Sequence, residues 1–399
     1  MSTDTAAIDI SSGVLATKQV EKLFKEGAIR HNQFPPPAID GSAFDLPLGR
    51  TAWKLTEAQR LATRELEEIR AKTSSVELQS DADEEYFLFE KGQIYLVQLD
   101  TYLDLPPNIN GRATGKSSIG RLDVITRLLA KDSREYDIVE AGHNGPLYLL
   151  VLPQTFSIKV PPGKSLNQLR LFSGPPHASV ITRTLIHDFG TPFWYVRQNN
   201  QKYDYESWNT LLNNYSKSRT ADPMLFDLTV DLADSDYQYI YKAAPQTFDP
   251  IDLRKPSKFY NPSFYFEKTE IKEDRAAHSV LLEQGSFYIM KSKERLYIPP
   301  DVAVEVVAIS ERIGDIRIHY AGFAHPGFGR QATFPKRGTP LIFEVRATDM
   351  PTRLYDRSLL ARIQLFRMSA ETEIKDSPYD DQELKLSSAF NDWPKEGEQ

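Results

Sequence analysis

The spacing of hydrophobic positions changes along the chain. Val20, Leu23 and Phe24 within TKQVEKLFKE (residues 17–26) recur at helical spacing and predict a short amphipathic helix. After Pro35-Pro36-Pro37 the period drops to two. Phe44, Leu46 and Leu48 alternate in GSAFDLPLG (residues 41–49), which predicts a strand. Thr56 and Gln59 have capping-box spacing and open a charged helix predicted to run to about Lys72. From Tyr86 to Phe172 short β-rich runs are broken by Pro, Gly and Asn. FLFEKGQIYLVQLDTYLDLPPNI reads as strand, turn and strand, and LYLLVL, PQTFSIKV and LNQLRLF continue the pattern. Residues 196–222 are polar, with one helix predicted near Trp208–Tyr215, and read as a linker or insertion. The β texture returns from FDLTVDL to RIQLFRM (residues 226–368). Residues 1–15 read as a flexible leader, and the last thirty as a polar tail that orders on binding.

The two β-rich stretches share one layout. GQIYLVQLDTYLDLPPNI in the first corresponds to GSFYIMKSKERLYIPPDV (residues 285–302) in the second. Each is followed by a Gly-containing hairpin (GHNGPLYLLVL; HPGFG then TPLIFEV) and a closing strand (LNQLRLFSG; LARIQLFRM). The two Pro-Pro pairs lie about 193 residues apart, and PPAIDGSAFDLPLG and ADPMLFDLTVDLAD are the matching openings. The expected organisation is therefore a duplicated β-rich domain: residues 1–195, a polar linker at 196–222, and residues 223–399.

Composition narrows the function more than the fold. The chain has 399 residues, 40% hydrophobic and 26% charged, so it can bury two ordinary cores. The longest strongly apolar run, Leu147 to Leu152, is far below the roughly 18 residues of a membrane helix. No basic region followed by an apolar one opens the chain, so a cytoplasmic location is expected. Cysteine is absent, which removes disulfides, cysteine nucleophiles and thiolate zinc sites. With 48 Lys and Arg against 55 Asp and Glu, the net charge is −7, unsuited to general nucleic-acid binding. Any anionic ligand must meet a local basic cluster.

Residues 111–121, GRATGKSSIGR, provide one. Arg112, Lys116, Arg121, Arg127, Lys131 and Arg134 are opposed before Glu135 only by Asp123 and Asp132. Backbone N–H groups, two hydroxyls and a cation in one short loop suit a phosphate. A surface turn with a helix cap is the alternative that spacing leaves open. The segment from Gly111 to Ser117 is one residue short of a Walker A loop and lacks its strand context.

GKSSIGRLDVITRLL resembles the G-R-S-S-x-x-R motif of the dCTP deaminase/dUTPase superfamily. The opening is similar too: a short helix ending in Glu26-Gly27, then prolines, then GSAFDLPLG. HPGFG followed by PLIFEV resembles that family's D-P-G-W hairpin and the strand carrying its catalytic glutamate, which maps to Glu344. The resemblance covers most of residues 15–172 and 285–390. It implies a mainly β fold of two tandem dUTPase-like β-barrel domains (β-clip type) with a few peripheral helices. It further implies hydrolytic deamination of dCTP to dUTP and ammonia, supplying dUMP for thymidylate. The alternatives are a dUTP diphosphatase, a bifunctional deaminase and diphosphatase, and a non-enzymatic nucleotide-binding regulator.

The resemblance also assigns roles. Glu344 is the proton-transferring carboxylate; Ser117 and Arg121 hold the water and the pyrimidine edge; Lys116 and Ser118 hold phosphates. Tyr379 and Lys385, in PYDDQELK, are candidates for a C-terminal segment that closes over the triphosphate. Three positions depart from the family: Lys116 stands where it has Arg, His325 where an Asp meets the sugar, and Phe328 where it has Trp. Glu140, in VEAGHNG, is the candidate replacement for that Asp. Aligning the halves sets Lys116-Ser117-Ser118 opposite Ile309-Ser310-Glu311, and Glu344 opposite Leu150. Each half has kept what the other lost, so a composite site is expected, within one chain or within a homo-oligomer. Mg²⁺ is expected to arrive with the triphosphate, and no zinc is expected, because zinc nucleobase deaminases need cysteine ligands. Nucleic acid and membrane are not expected partners. On pattern alone, LIFEVRA leaves the Glu344 face open to two readings: a solvent-facing Glu–Arg stripe, or a partly buried reactive carboxylate.

Overall fold

The computed structural model describes residues 12–37, 39–57, 74–81, 84–131, 133, 135–181, 194–199, 202–206, 225–234, 236–245, 249–274, 277–309, 316–319, 322–330, 338–374 and 382–394. The expected helix at 208–215 lies outside them, as does that at 56–72 beyond its first two residues. The chain divides into two units. The first comprises residues 1–179, 248–256 and 367–373; the second comprises 180–247, 257–366 and 374–399. No described helix is long and apolar enough to cross a membrane.

The first unit opens with helix α1 (Thr17–Lys25), which buries Thr17, Val20 and Leu23. The Gln19 side chain accepts from the Ala16 N–H at 2.8 Å, satisfying one orphan donor at the helix start. The long strand β1 (Ala43–Leu55) follows. Then come β2 (Ile94–Asp104), β3 (Ile109–Gly115), the single-turn helix α2 (Ser117–Gly120), β4 (Val124–Ala130), β5 (Asn144–Pro153) and β6 (Ser165–Ser173). Their order in the sheet is β4-β5-β2-β1-β6-β3, a mainly antiparallel, barrel-like path. β1 serves both sides of it, pairing with β6 through its first half and with β2 through its second. It makes the crossing at Gly49, where an added Cβ would come within 2.7 Å of the Gln98 carbonyl oxygen. Only glycine allows that approach.

The second unit repeats the path. Its strands are β7 (Leu225–Thr229), β8 (Tyr239–Ala243), β9 (Phe287–Tyr297), β10 (Val302–Ala308), β11 (Ile316–Ile318), β12 (Thr339–Ala347) and β13 (Leu359–Arg367). β11 pairs with β12, β12 with β9, and β9 with β8, while β7, β13 and β10 form the other side. Here the single long strand of the first unit is split into β7 and β8. The duplication holds in register along this opening ladder. Phe44, Asp45 and Leu46 stand opposite Leu169, Gln168 and Asn167; Phe226, Asp227 and Leu228 stand opposite Ile363, Arg362 and Ala361. The expected polar linker begins differently from a linker. Trp194–Asn199 and Lys202–Glu206 form a hairpin, and its first strand extends the sheet beside β9.

A distant segment completes the first unit. Ile251 and Asp252 add a parallel strand beside Ile158 and Lys159. Arg254 holds Asp252 at 2.6 Å, pairs with Asp81, and lies over the Tyr86 ring at 4.3 Å. Its hydrogen bond brings the Asp81 carboxyl down to about 2. A depressed carboxylate pKa stabilises above the unfolded value of 3.8, and the contribution fades as pH falls towards 2. Arg254→Gln should therefore lower Tm at pH 7, with the gap to wild type narrowing below pH 4. A constant gap across that range would assign the effect to packing on Tyr86 instead.

Candidate active site

In the first unit, the turn out of β3 sets the Ser-Ser segment. The Lys116 N–H bonds the Leu166 carbonyl at 3.0 Å, then the chain closes one helical turn with Arg121 N–H on the Ser117 carbonyl at 3.0 Å. Asp123 ends the turn with a φ of 55°, which Asp tolerates better than most residues. It is fully buried, and accepts from the Thr155 hydroxyl at 2.6 Å. Lys116, Ser117 and Ser118 are half-buried, and Arg121 is buried. The segment is thus a fixed turn rather than a free surface loop.

Lys116 is ion-paired with Asp45 of β1, each side chain about a third exposed (30% and 31%). Burial pushes the Asp45 carboxyl up, and Lys116 only partly offsets this. Sequence reasoning missed Asp45. The signal was there: it is the one acid between the alternating apolar residues Phe44, Leu46 and Leu48. Glu140 is exposed in the turn after Val139, and Val139 pairs with Gly111 near the start of β3. The Lys116 turn leaves from the other end of that strand, so this unit does not gather Glu140 with the Ser-Ser segment.

In the second unit, β12 carries Glu344 opposite Ile289 of β9. The matching pair in the first unit is Leu150 opposite Leu96, as the alignment of the halves predicts. Tyr288, Met290, Phe343 and Val345 fill the hydrophobic core, so Glu344 and Ile289 occupy the other face of the sheet. Glu344 is nevertheless only 1% exposed, which removes the solvent-facing reading of LIFEVRA. In the first unit the same face is an apolar cluster of Trp53, Leu55, Leu96, Leu129, Tyr148 and Leu150. One copy closed this face with leucine; the other placed a carboxylate there.

His325 and Phe328 sit in the turn before β12. Gly327 and Gly329 have φ of 86° and 78°, and a Cβ on Gly329 would lie 2.0 Å from the Leu296 carbonyl oxygen. That contact pins the turn to the far end of β9 from Ile289. Phe328 packs into the hydrophobic core, and His325 is half-buried. The structure therefore does not bring either residue to Glu344 within this unit.

The C-terminal segment differs from the expected tail that orders on binding. Residues 382–394 are packed through Leu384, Leu386 and Phe390, and Trp393 stacks on Tyr241 at 5.3 Å. Tyr241 lies opposite Ile289, so Trp393 covers the Glu344 face of the sheet. Lys385 is exposed, and Tyr379 lies outside the described residues. Glu383 anchors the segment to Lys291 at 3.1 Å and to Arg295 at 2.8 Å. Lys291 also meets Asp234 and, at 3.7 Å, Asp231; Lys293 meets Asp231 at 3.2 Å and Asp356 at 2.9 Å. Burial opposes the charge on Lys291, but Glu383, Asp231 and Asp234 outweigh it and raise its pKa. Among the described residues no three His, Asp or Glu gather as a metal cage.

A family model for the N-terminal domain of 2′-deoxycytidine 5′-triphosphate deaminase matches residues 11–175, and one for its C-terminal domain matches residues 199–390. The chain belongs to this deaminase family. A solved 2′-deoxycytidine 5′-triphosphate deaminase from Agrobacterium tumefaciens is 26% identical, with a TM-score of 0.74 over 91% of this chain and all of that one. A "dCTP deaminase, dUMP-forming" from Parafrankia sp. (strain EAN1pec) is 25% identical over 190 residues, 47% of this chain and 87% of that relative. One from Streptomyces griseus is 28% identical over 161 residues, 40% of this chain and 79% of the relative. In this deaminase-family chain the Ser-Ser motif occurs in the first unit and the glutamate strand in the second.

Proposed function

We propose that the chain hydrolyses dCTP to dUTP and ammonia, with Glu344 as the proton-transferring group. The observation that carries this is a carboxylate only 1% exposed on a sheet face that its duplicate closes with Leu150. Enclosing a carboxylate costs desolvation, and enclosed titratable groups concentrate at functional sites. In this reading Glu344 takes a proton from water as the oxygen attacks C4 of cytosine. It returns protons to N3 and to the amino group, and ammonia leaves. Ser117 and Arg121 orient the water and the base edge, while Lys116 and Ser118 hold phosphates. Glu140, His325, Phe328, Tyr379 and Lys385 remain candidates for sugar and phosphate contacts. Mg²⁺ enters with the triphosphate, held by phosphates and water, and zinc takes no part.

A second reading is favoured by the relatives, which carry the name "dUMP-forming". In it the same protein also splits dUTP to dUMP and pyrophosphate. One incubation separates them. Purified protein with dCTP and Mg²⁺ is followed for ammonia and for nucleotides by chromatography, before and after treatment with a zinc chelator. Ammonia with dUTP is the expected result. Ammonia with dUMP and pyrophosphate establishes the second reading. No ammonia from dCTP overturns both.

A further inference from the structure

Glu344 has a cross-strand neighbour that the reaction as described does not use. β11 runs antiparallel to β12, with Arg317 opposite Arg346 and Ile318 opposite Val345. The next residue, His319, donates its backbone N–H to the Glu344 carbonyl at 2.8 Å. That bond continues the register and sets His319 directly across from Glu344. Opposed residues in an antiparallel ladder send their side chains to the same face, with Cβ atoms about 5 Å apart. The ring position agrees. His319 meets Phe287 edge-on at 6.3 Å, and Phe287, opposite Arg346, lies on the face of Ile289 and Glu344. The His319 Nε2 atom is shut off from solvent.

The duplicate sharpens the point. In the first unit the corresponding pair is Arg127 opposite Leu150. There Arg127 turns to Asp137 at 2.5 Å, and Leu150 joins the apolar cluster. The second unit has a different residue at both positions of this pair: an imidazole now faces a carboxylate.

We propose that His319 is a positioning residue for the deamination: its imidazole hydrogen-bonds the Glu344 carboxylate and fixes the direction in which it meets the water. This rests on Glu344 being the proton-transferring group. A glutamate has three rotatable bonds, and a base misplaced by about 1 Å loses roughly a hundredfold in rate. A donor across the strand removes that freedom and satisfies a buried anion. Among the described residues the other charged groups on this face include Arg317, Arg346 and Lys291, with Tyr241 from β8 beside Ile289 and Lys268, opposite Tyr241, held over the Tyr239 and Trp393 rings. The first two are cations on the same strands. Lys291 is committed to Asp231, Asp234 and Glu383. His319 is the group placed directly opposite.

The test compares His319→Leu, His319→Asn and Glu344→Gln with wild type, using dCTP with Mg²⁺. His319→Leu should lower kcat roughly ten- to hundredfold with KM unchanged, and move the acidic limb of the kcat–pH profile. His319→Asn, which keeps a donor, should recover most of the rate, and equal dCTP affinity checks that both variants fold. Wild-type kcat and pH profile in His319→Leu, beside an inactive Glu344→Gln, overturn the role of His319 alone. A change in KM only also overturns it, since that marks a substrate contact. An active Glu344→Gln overturns the reading of Glu344 itself.

Discussion

Glu344→Gln is expected to abolish deamination while leaving nucleotide binding in place. The substitution keeps shape and removes the base. General acid–base catalysis contributes about 10²–10⁴ in rate. In the proposed reaction one carboxylate serves both water activation and protonation of the leaving group, so a loss near the upper end is expected. Stability should not suffer. Glu344 is only 1% exposed, and a neutral amide there no longer bears the cost of a buried charge. Tm should be unchanged or higher. The measurement is kcat for ammonia release from dCTP, with Kd from direct titration. A kcat within tenfold of wild type, at equal Kd, would sink the assignment of Glu344.

Much of the fold was legible because its signals are local. Val20 and Leu23 are buried on α1 at the spacing that predicted it. Phe44, Leu46 and Leu48 alternate and are buried in β1. The repeat was readable in the Pro-Pro pairs and closing strands, and the register of Asp45 on Gln168 and Asp227 on Arg362 bears it out. Tertiary decisions were not legible. Alternation in LIFEVRA shows that Glu344 and Phe343 face opposite ways; it does not show which faces are covered. In β9 the run Lys291-Ser292-Lys293-Glu294-Arg295 looks like a solvated stripe, yet all five residues are buried. The pairing with β12 shifts between Lys291 and Arg295, which turns these side chains off the regular alternation. The charged partners of Lys291, Lys293 and Arg295 come from positions 231, 234, 356 and 383, and Glu294 accepts from Thr229, all too far along the chain for any local pattern to announce. The C-terminal segment did carry a signal, in the spacing of Leu384, Leu386 and Phe390, which is masked by acids and serines.

The Glu383 anchor follows from the same network. Burial works to raise its carboxyl, but Lys291 and Arg295 more than offset this and hold it below the ordinary glutamate value. Lowering the pH therefore weakens this attachment only well into the acidic range. Near neutrality the segment is held by charge at Glu383 and by aromatic packing at Phe390 and Trp393. Opposite ends of one short segment are thus fixed by different forces, and because the ion pairs are largely buried salt should loosen neither end much.

Removing Lys116 and Ser118 together is expected to act on KM. Both lie on a turn fixed by backbone bonds to Leu166 and Ser117, so truncating them leaves the backbone in place. A hydrogen bond to a charged group contributes about 1.5–3 kcal/mol when well formed. Lys116 is 30% exposed and already paired with Asp45, so the net loss for the pair of substitutions should be about 2–3 kcal/mol, roughly a hundredfold in KM for dCTP. The same geometry gives a control of opposite sign. If Lys116 holds a phosphate, Asp45 competes for its ammonium, so Asp45→Asn should lower KM. Burial raises the Asp45 carboxyl, so acidification neutralises this competitor sooner than an ordinary aspartate, and the gap between Asp45→Asn and wild type should close as pH falls. Steady-state kinetics with dCTP at several pH values measures all three. A fall in kcat with KM unchanged in the double variant would remove the phosphate role, and an unchanged KM in Asp45→Asn would show that the ion pair does not compete with substrate.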